Sequence, residues 1–286
     1  MSVISLGFWD LAAASLLLLL NGMLSLWLSL GIERQLLIAA VRMVVQLIAV
    51  GGVLTLLFAT VSLAWTGVMG FAMVLLAGRE IMARQERRLA GWWGYGLGTT
   101  TMAFASASLT LFALLGTIRP DPWYAPQYAI PLFGMILGNA MTGISLGLDA
   151  LTTAVVREKS AIEARIALGC RRFEALQPVM RQALRRGLMP TINAMAATGI
   201  VSLPGMMTGQ ILAGVPPETA VRYQLLIMFL ISGSTGLGLF MALIGGAWRL
   251  TDHRHRLLRP QQPSKAECQA RGLYAFRIGG DALAFG

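Results

Sequence analysis

LLIAAVRMVVQLIAVGGVLTLLFA, Leu36–Ala59, is an apolar run interrupted by one charged residue, Arg42. A helix rising about 1.5 Å per residue needs about 20 apolar residues to cross ~30 Å of hydrocarbon, so this run has spanning length. Six other stretches read the same way: Phe8–Leu30, Leu63–Ala77, Leu97–Thr117, Ala129–Val155, Pro190–Ala213 and Ala220–Trp248. The chain of 286 residues is 56% hydrophobic and only 13% charged, with a mean hydropathy of +0.67. Soluble domains carry roughly a quarter charged residues. These numbers exclude a soluble globule and predict an all-α integral membrane protein of about seven transmembrane helices. One transmembrane domain is expected over 1–248, with a polar tail over 249–286 that is expected to be disordered in large part. The first nine residues carry no Lys or Arg, and the run that follows is long enough to span, so the first helix is expected to be retained rather than cleaved as a signal.

Charge placement orients the spans. The segment Arg79–Arg88 carries four Arg against two Glu, and Val156–Gly187 carries seven Arg and one Lys against three Glu. The turn Thr60–Ser62 is uncharged, while Arg119 is balanced by Asp121 and Arg222 by Glu218. The positive-inside rule then puts the N-terminus outside and the C-terminus in the cytoplasm, with a cytoplasmic loop at about 156–189. Trp92, Trp93 and Tyr95 precede one span, and Trp123 and Tyr124 another, as headgroup-level anchors.

The same placement disposes of nucleic acid as a partner. A net charge of +10 is compatible with it, but the basic residues lie in short segments between apolar runs, where they meet anionic lipid. Cys170 and Cys268 both fall in segments assigned to a reducing compartment, so no disulfide framework is implied. His253 and His255 sit on the tail and make a poor metal site. Gly94, Gly96 and Gly98 follow no strand and lack GxxxxGK[ST] spacing. Without HExxH, CxxC or a Ser-His-Asp pattern, hydrolase chemistry is disfavoured and no catalytic residue is assigned.

Several intramembrane positions carry functional potential. Gly134 and Gly138, Gly143 and Gly147, and Gly205 and Gly209 are each four apart, which lets another backbone approach one helix face. Asn139 and Asp149 are polar groups within a span and need a partner or a wet cavity. Arg42 and Gln46 share a face; Arg42 either snorkels to the interface or meets a pathway or a partner helix. VSLPGMMTG, Val201–Gly209, is the sharpest signal. Pro204 removes a donor and Gly205 permits unusual dihedrals, so the sixth span should kink or break there, beside Ser202, Met206 and Met207. Transporters build substrate paths from such breaks, although a kink can also serve packing alone. Met135, Met141, Met206 and Met207 cluster near these features, as soft-metal thioethers or as plain apolar filler.

The loop Glu158–Arg186 reads EKSAIEARIALGCRRFEALQPVMRQALRR, which fits two short helices across the membrane face, the second interrupted at Pro178. Glu163, Ala164 and Gly169 match the EAAxxxG coupling-helix pattern of ABC transporter permeases, with Arg165 in place of the second alanine. Together with VRMVVQLIAVG at Val41–Gly51, FGMILGNAM at Phe133–Met141 and PTINAMAATGIVSLPGMMTGQILAG at Pro190–Gly214, the loop resembles the FetB-type permease family, which includes plant aluminium-tolerance half-transporters. The resemblance covers about residues 36–248.

It implies a half-transporter of the bacterial inner membrane: two copies of the chain, surrounded by lipid, with two cytoplasmic ABC ATPase subunits. Glu163, Ala164, Gly169, Arg171 and Arg172 would engage the ATPase. The chain itself would bind no cofactor, because it lacks a P-loop, and ATP and Mg would be used by the partner. Bacterial members of the family are associated with iron export. A different solute such as a nucleotide sugar, a secondary transporter and a non-transporting scaffold are the competing readings.

Overall fold

Backbone amides without water must bond within their own segment, so the apolar runs fold as helices. The computed structural model describes residues 7–85 and 93–250, and among them no β-strand occurs. The helices are α1 (Phe8–Trp27), α2 (Glu33–Thr60), α3 (Leu63–Arg84), α4 (Trp93–Phe112), α5 (Pro126–Arg157), α6 (Lys159–Ala167), α7 (Arg172–Ala197), α8 (Gly205–Leu212) and α9 (Pro217–Leu250). A π-helical turn, Ala113–Ile118, extends α4 and ends at Arg119, whose φ is 49°. Trp92, Cys268, His253, His255 and the remainder of the expected tail lie outside the described residues.

Among the described residues, six helices are long and apolar enough to cross a membrane: α1, α2, α3, α4 with its π-helical turn, α5 and α9. The expected sixth span, Pro190–Ala213, is not one helix. It is divided between the end of α7 and the short α8, with residues 198–204 outside any helix. The expected pair of short interfacial helices is also corrected. α6 is short, but α7 runs without interruption through Pro178 and Pro190. Each proline forfeits one helical hydrogen bond, and long packed helices absorb that loss when the freed carbonyl is re-satisfied nearby. Glu174 secures the start of α7 by accepting the Arg171 backbone N–H at 3.0 Å.

The core lies between α5, α7 and α9, flanked by α3 and α4. Ile144, Leu148 and Leu151 of α5 are fully buried against Leu239 of α9 and other residues. α5 and α7 approach most closely at Gly143 and Gly187, where a methyl group on Gly143 would stand 2.9 Å from the Gly187 carbonyl oxygen. Leu239 occupies the space beside Gly147 and Gly187. Two of the glycine pairs thus do different work: Gly143 and Gly147 admit neighbours, whereas Gly205 and Gly209 face open space.

α1 and α2 form a peripheral hairpin closed by a Ser25 hydroxyl that donates to Glu33 at 3.0 Å. Their outward side chains are apolar and exposed, as lipid-facing residues are; Leu47 and Ile48 are examples.

Candidate functional site

Four helices line a cavity of about 200 Å³. α5 contributes Met135 and Asn139, α9 contributes Gln224, Ile227 and Met228, and the last turns of α7 supply Thr191 and Ala194. Pro204, Gly205 and Met206 complete it from the start of α8. Met135 lies nine residues into α5, or about 14 Å along the helix axis from Pro126.

The break in the chain shapes this cavity. Helix α7 stops at Ala197, whose carbonyl accepts N–H groups from Val201 at 3.0 Å and Ser202 at 3.1 Å. Gly199 has a φ of 91°, a conformation that L side chains rarely adopt, and its N–H bonds the Ser202 carbonyl at 2.9 Å. Pro204 then takes the residue before α8, where a missing N–H is harmless. The break therefore begins at Gly199, earlier than the Pro204–Gly205 pair from which it was expected. It brings the last turns of α7 and the N-terminal end of α8 to the same cavity. Half-helix ends of this kind line substrate sites in transporters.

Asn139 donates its side-chain N–H to the Met135 carbonyl, one turn back, at 2.8 Å. Gln224 is 7% exposed, and its Oε1 has no hydrogen-bond partner within the chain. A buried unpaired carboxamide oxygen costs about 1–3 kcal/mol, so it marks a place where a donor, water or cation is wanted. Gln224, Thr191 and Met228 were absent from the expected site. Gln224 and Met228 are four apart and repeat the four-residue Met135 and Asn139 spacing on the facing helix, so the signal was present in the sequence. Of the other expected positions, Met141 and Met207 do not line the cavity, and the Ser202 hydroxyl turns back to the Ala197 carbonyl at 3.5 Å.

Arg42, Gln46 and Asp149 lie elsewhere. Arg42 reaches the partner helix α3, where its guanidinium donates to Glu80 at 3.0 Å. Glu80 also meets Arg84 at 3.5 Å, and Arg84 donates to the Thr142 hydroxyl at 3.4 Å, so one polar chain joins α2, α3 and α5. Gln46 is on the exposed surface of α2, and Asp149 is half-buried on α5.

The second expected site is the corner made by α6 and the start of α7. Gly169 turns it with a φ of 95°. Glu163, Ala164, Gly169 and Arg171 are all exposed, and Leu168 between them is 86% exposed. Glu163 pairs with Lys159 at 3.4 Å along α6. Arg172 behaves differently: its guanidinium lies 4.6 Å from the ring centre of Trp248 and 5.3 Å from that of Phe173, tying α7 to α9.

A family model described as an uncharacterised protein family, UPF0014, matches residues 8–250. The chain belongs to the UPF0014 family. Within UPF0014, a membrane protein of Synechocystis sp. is 40% identical over 210 residues, which is 72% of this chain and 78% of the relative. The probable iron export permease protein FetB of Escherichia coli is 29% identical over 256 residues, 90% of this chain and 96% of that protein. The protein ALUMINUM SENSITIVE 3 of Arabidopsis thaliana is 30% identical over 223 residues, 78% and 80% of the two chains. No solved structure matches. The UPF0014 match spans α1 to α9, so the cavity and the α6 corner both lie inside the family region. This UPF0014 protein is an all-α membrane protein.

Proposed function

We propose that this UPF0014 protein is the membrane-spanning subunit of an ABC exporter of iron or another metal, driven by an ATPase on a separate chain in a bacterial inner membrane. The observation that carries the reading is the α6 corner. The nine-residue helix α6 and the turn after it separate two long helices and present Glu163, Ala164, Leu168 and Gly169 outward, outside the packed core. An exposed helix at that place is what a cytoplasmic ATPase needs to grip, and α5 and α7, which leave it, both reach the cavity.

Two further features support parts of the proposal. The cavity of about 200 Å³ suits an ion or a small solute; drug-sized ligands occupy roughly 300–1,000 Å³, and a nucleotide sugar is at least of that class. The irregular turn 198–204, inside the apolar stretch Pro190–Ala213, exposes Ile200 and Val201 at 91% and 82%. Irregular backbone does not face lipid, so protein or a water-filled path must cover it, and a second copy of the chain meets that need.

The test is a mild-detergent purification of the native chain and of a variant carrying Glu163→Arg and Gly169→Pro. A P-loop ATPase that copurifies with the native chain and is lost from the variant is the expected result. Its absence from both would overturn the ABC reading.

A further inference from the structure

The cavity between α5, α7, α8 and α9 has an unusual donor set. Three methionines, Met135, Met206 and Met228, line it from three different helices, together with Asn139 and Gln224. No His, Cys, Asp or Glu lines it, and no group of three or more such residues suited to a metal occurs among the described residues. Hard or borderline cations such as Fe(II) take imidazole and carboxylate, whereas thioethers select Cu(I) and its congeners.

Charge points the same way. The cavity holds no anionic side chain to offset a multivalent ion, and the penalty for burying charge rises steeply with that charge. A monovalent ion is the least expensive cation to place there. The end of α7 and the start of α8 both face the cavity, so the negative end of one helix dipole offsets the positive end of the other. The buried Gln224 Oε1, unpartnered within the chain, supplies an acceptor for the ion or for a water bound to it.

From these observations we infer that the cavity is a binding site for a soft monovalent cation, Cu(I) or Ag(I), held by Met135, Met206 and Met228 with Gln224 beside them. The inference deepens the exporter reading, on which it rests for the cavity being part of a transport path. Neutral, soft ligands hold such an ion without trapping it, as a site that must also release its cargo requires.

The experiment uses the full chain in nanodiscs, with Cys170→Ser and Cys268→Ser so that thiols do not compete. Cu(I) under ascorbate, Ag(I) and Fe(II) are each titrated against a competing chelator, and X-ray absorption reads the ligand shell. Expected are a bound equivalent of Cu(I) or Ag(I) with a sulfur shell, preference over Fe(II), and loss of that equivalent in Met135→Leu, Met206→Leu, Met228→Leu. Leucine keeps the volume and fold. The Met141→Leu, Met207→Leu variant should retain binding.

No Cu(I) or Ag(I) binding, binding undiminished in the triple variant, a shell of oxygen and nitrogen alone, or preference for Fe(II) would each overturn the inference. The nanodiscs hold no ATPase, so the two readings fail separately. A chain that copurifies an ATPase but binds no soft cation loses only the cation assignment. One that binds Cu(I) through the three thioethers but recruits no ATPase supports the site and loses the ABC reading.

Discussion

At Gly187 a methyl group would stand 2.7 Å from the Gly143 carbonyl oxygen and 2.5 and 3.0 Å from the two Leu239 methyl carbons, with no flexible end able to yield on the backbone side. Gly187→Ala should therefore destabilise the α5 and α7 crossing by about 1–3 kcal/mol, as overpacked cores do. Gly138→Ala, where an added methyl meets nothing within 4 Å, should change the melting temperature in detergent little. Equal melting temperatures for the two variants would contradict the crossing as described. Gly143 and Gly147 were legible in the sequence because four-residue spacing on an apolar span has few other uses. Their partner Gly187 was not, because it lies among Arg181, Arg185 and Arg186 and reads as loop. Gln224 was missed for the opposite reason: a single amide in a long apolar run yields to the reading of the run as a whole.

The broken helix belongs to the scale of elements. A proline followed by glycine announced the break, but Pro204 only starts α8, and it is Gly199, with φ 91°, that ends the helical path. Gly199→Ala forces a side chain into a left-handed conformation at about 1–2 kcal/mol. Pro204→Ala should cost less, because a position just before a helix has no N–H duty to lose. Chemical unfolding of the two variants checks the order, and a larger effect at Pro204 would place the hinge where the sequence first suggested it. α7 shows why the interfacial loop was only half legible. Its arginines mark a polar surface, yet Ala175, Leu176, Val179 and Ala183 face inward at helical spacing and carry the helix through Pro178. Prolines in a basic segment read as stops, but the stripe that α7 buries outweighs the hydrogen bonds they forfeit.

For the whole molecule, hydropathy alone gave the all-α membrane class, and the runs at Phe8, Leu36, Leu63, Leu97, Ala129 and Ala220 each correspond to a helix of spanning length. What hydropathy could not resolve was the packing order, since apolar residues face lipid and core alike in a bilayer. The exposed turn 198–204 is the face that the proposed second copy of the chain would cover. In a background with Cys170→Ser and Cys268→Ser, Ile200→Cys should give a covalent dimer in native membranes with a short bis-maleimide; exclusively monomeric product would count against a second copy at this face. α5 carries a last consequence. It is 32 residues long, and between Met135 and Arg157 it contains no proline. Met135 is thus about 33 Å from the far end of a continuous rod, and a tilt of only about 3° imposed at α6 sweeps nearly 2 Å over that arm. A displacement of that size is comparable to a metal–ligand bond, so in the proposed transporter the rod would work as a lever between the corner and the cavity, its stiffness setting how much motion arrives.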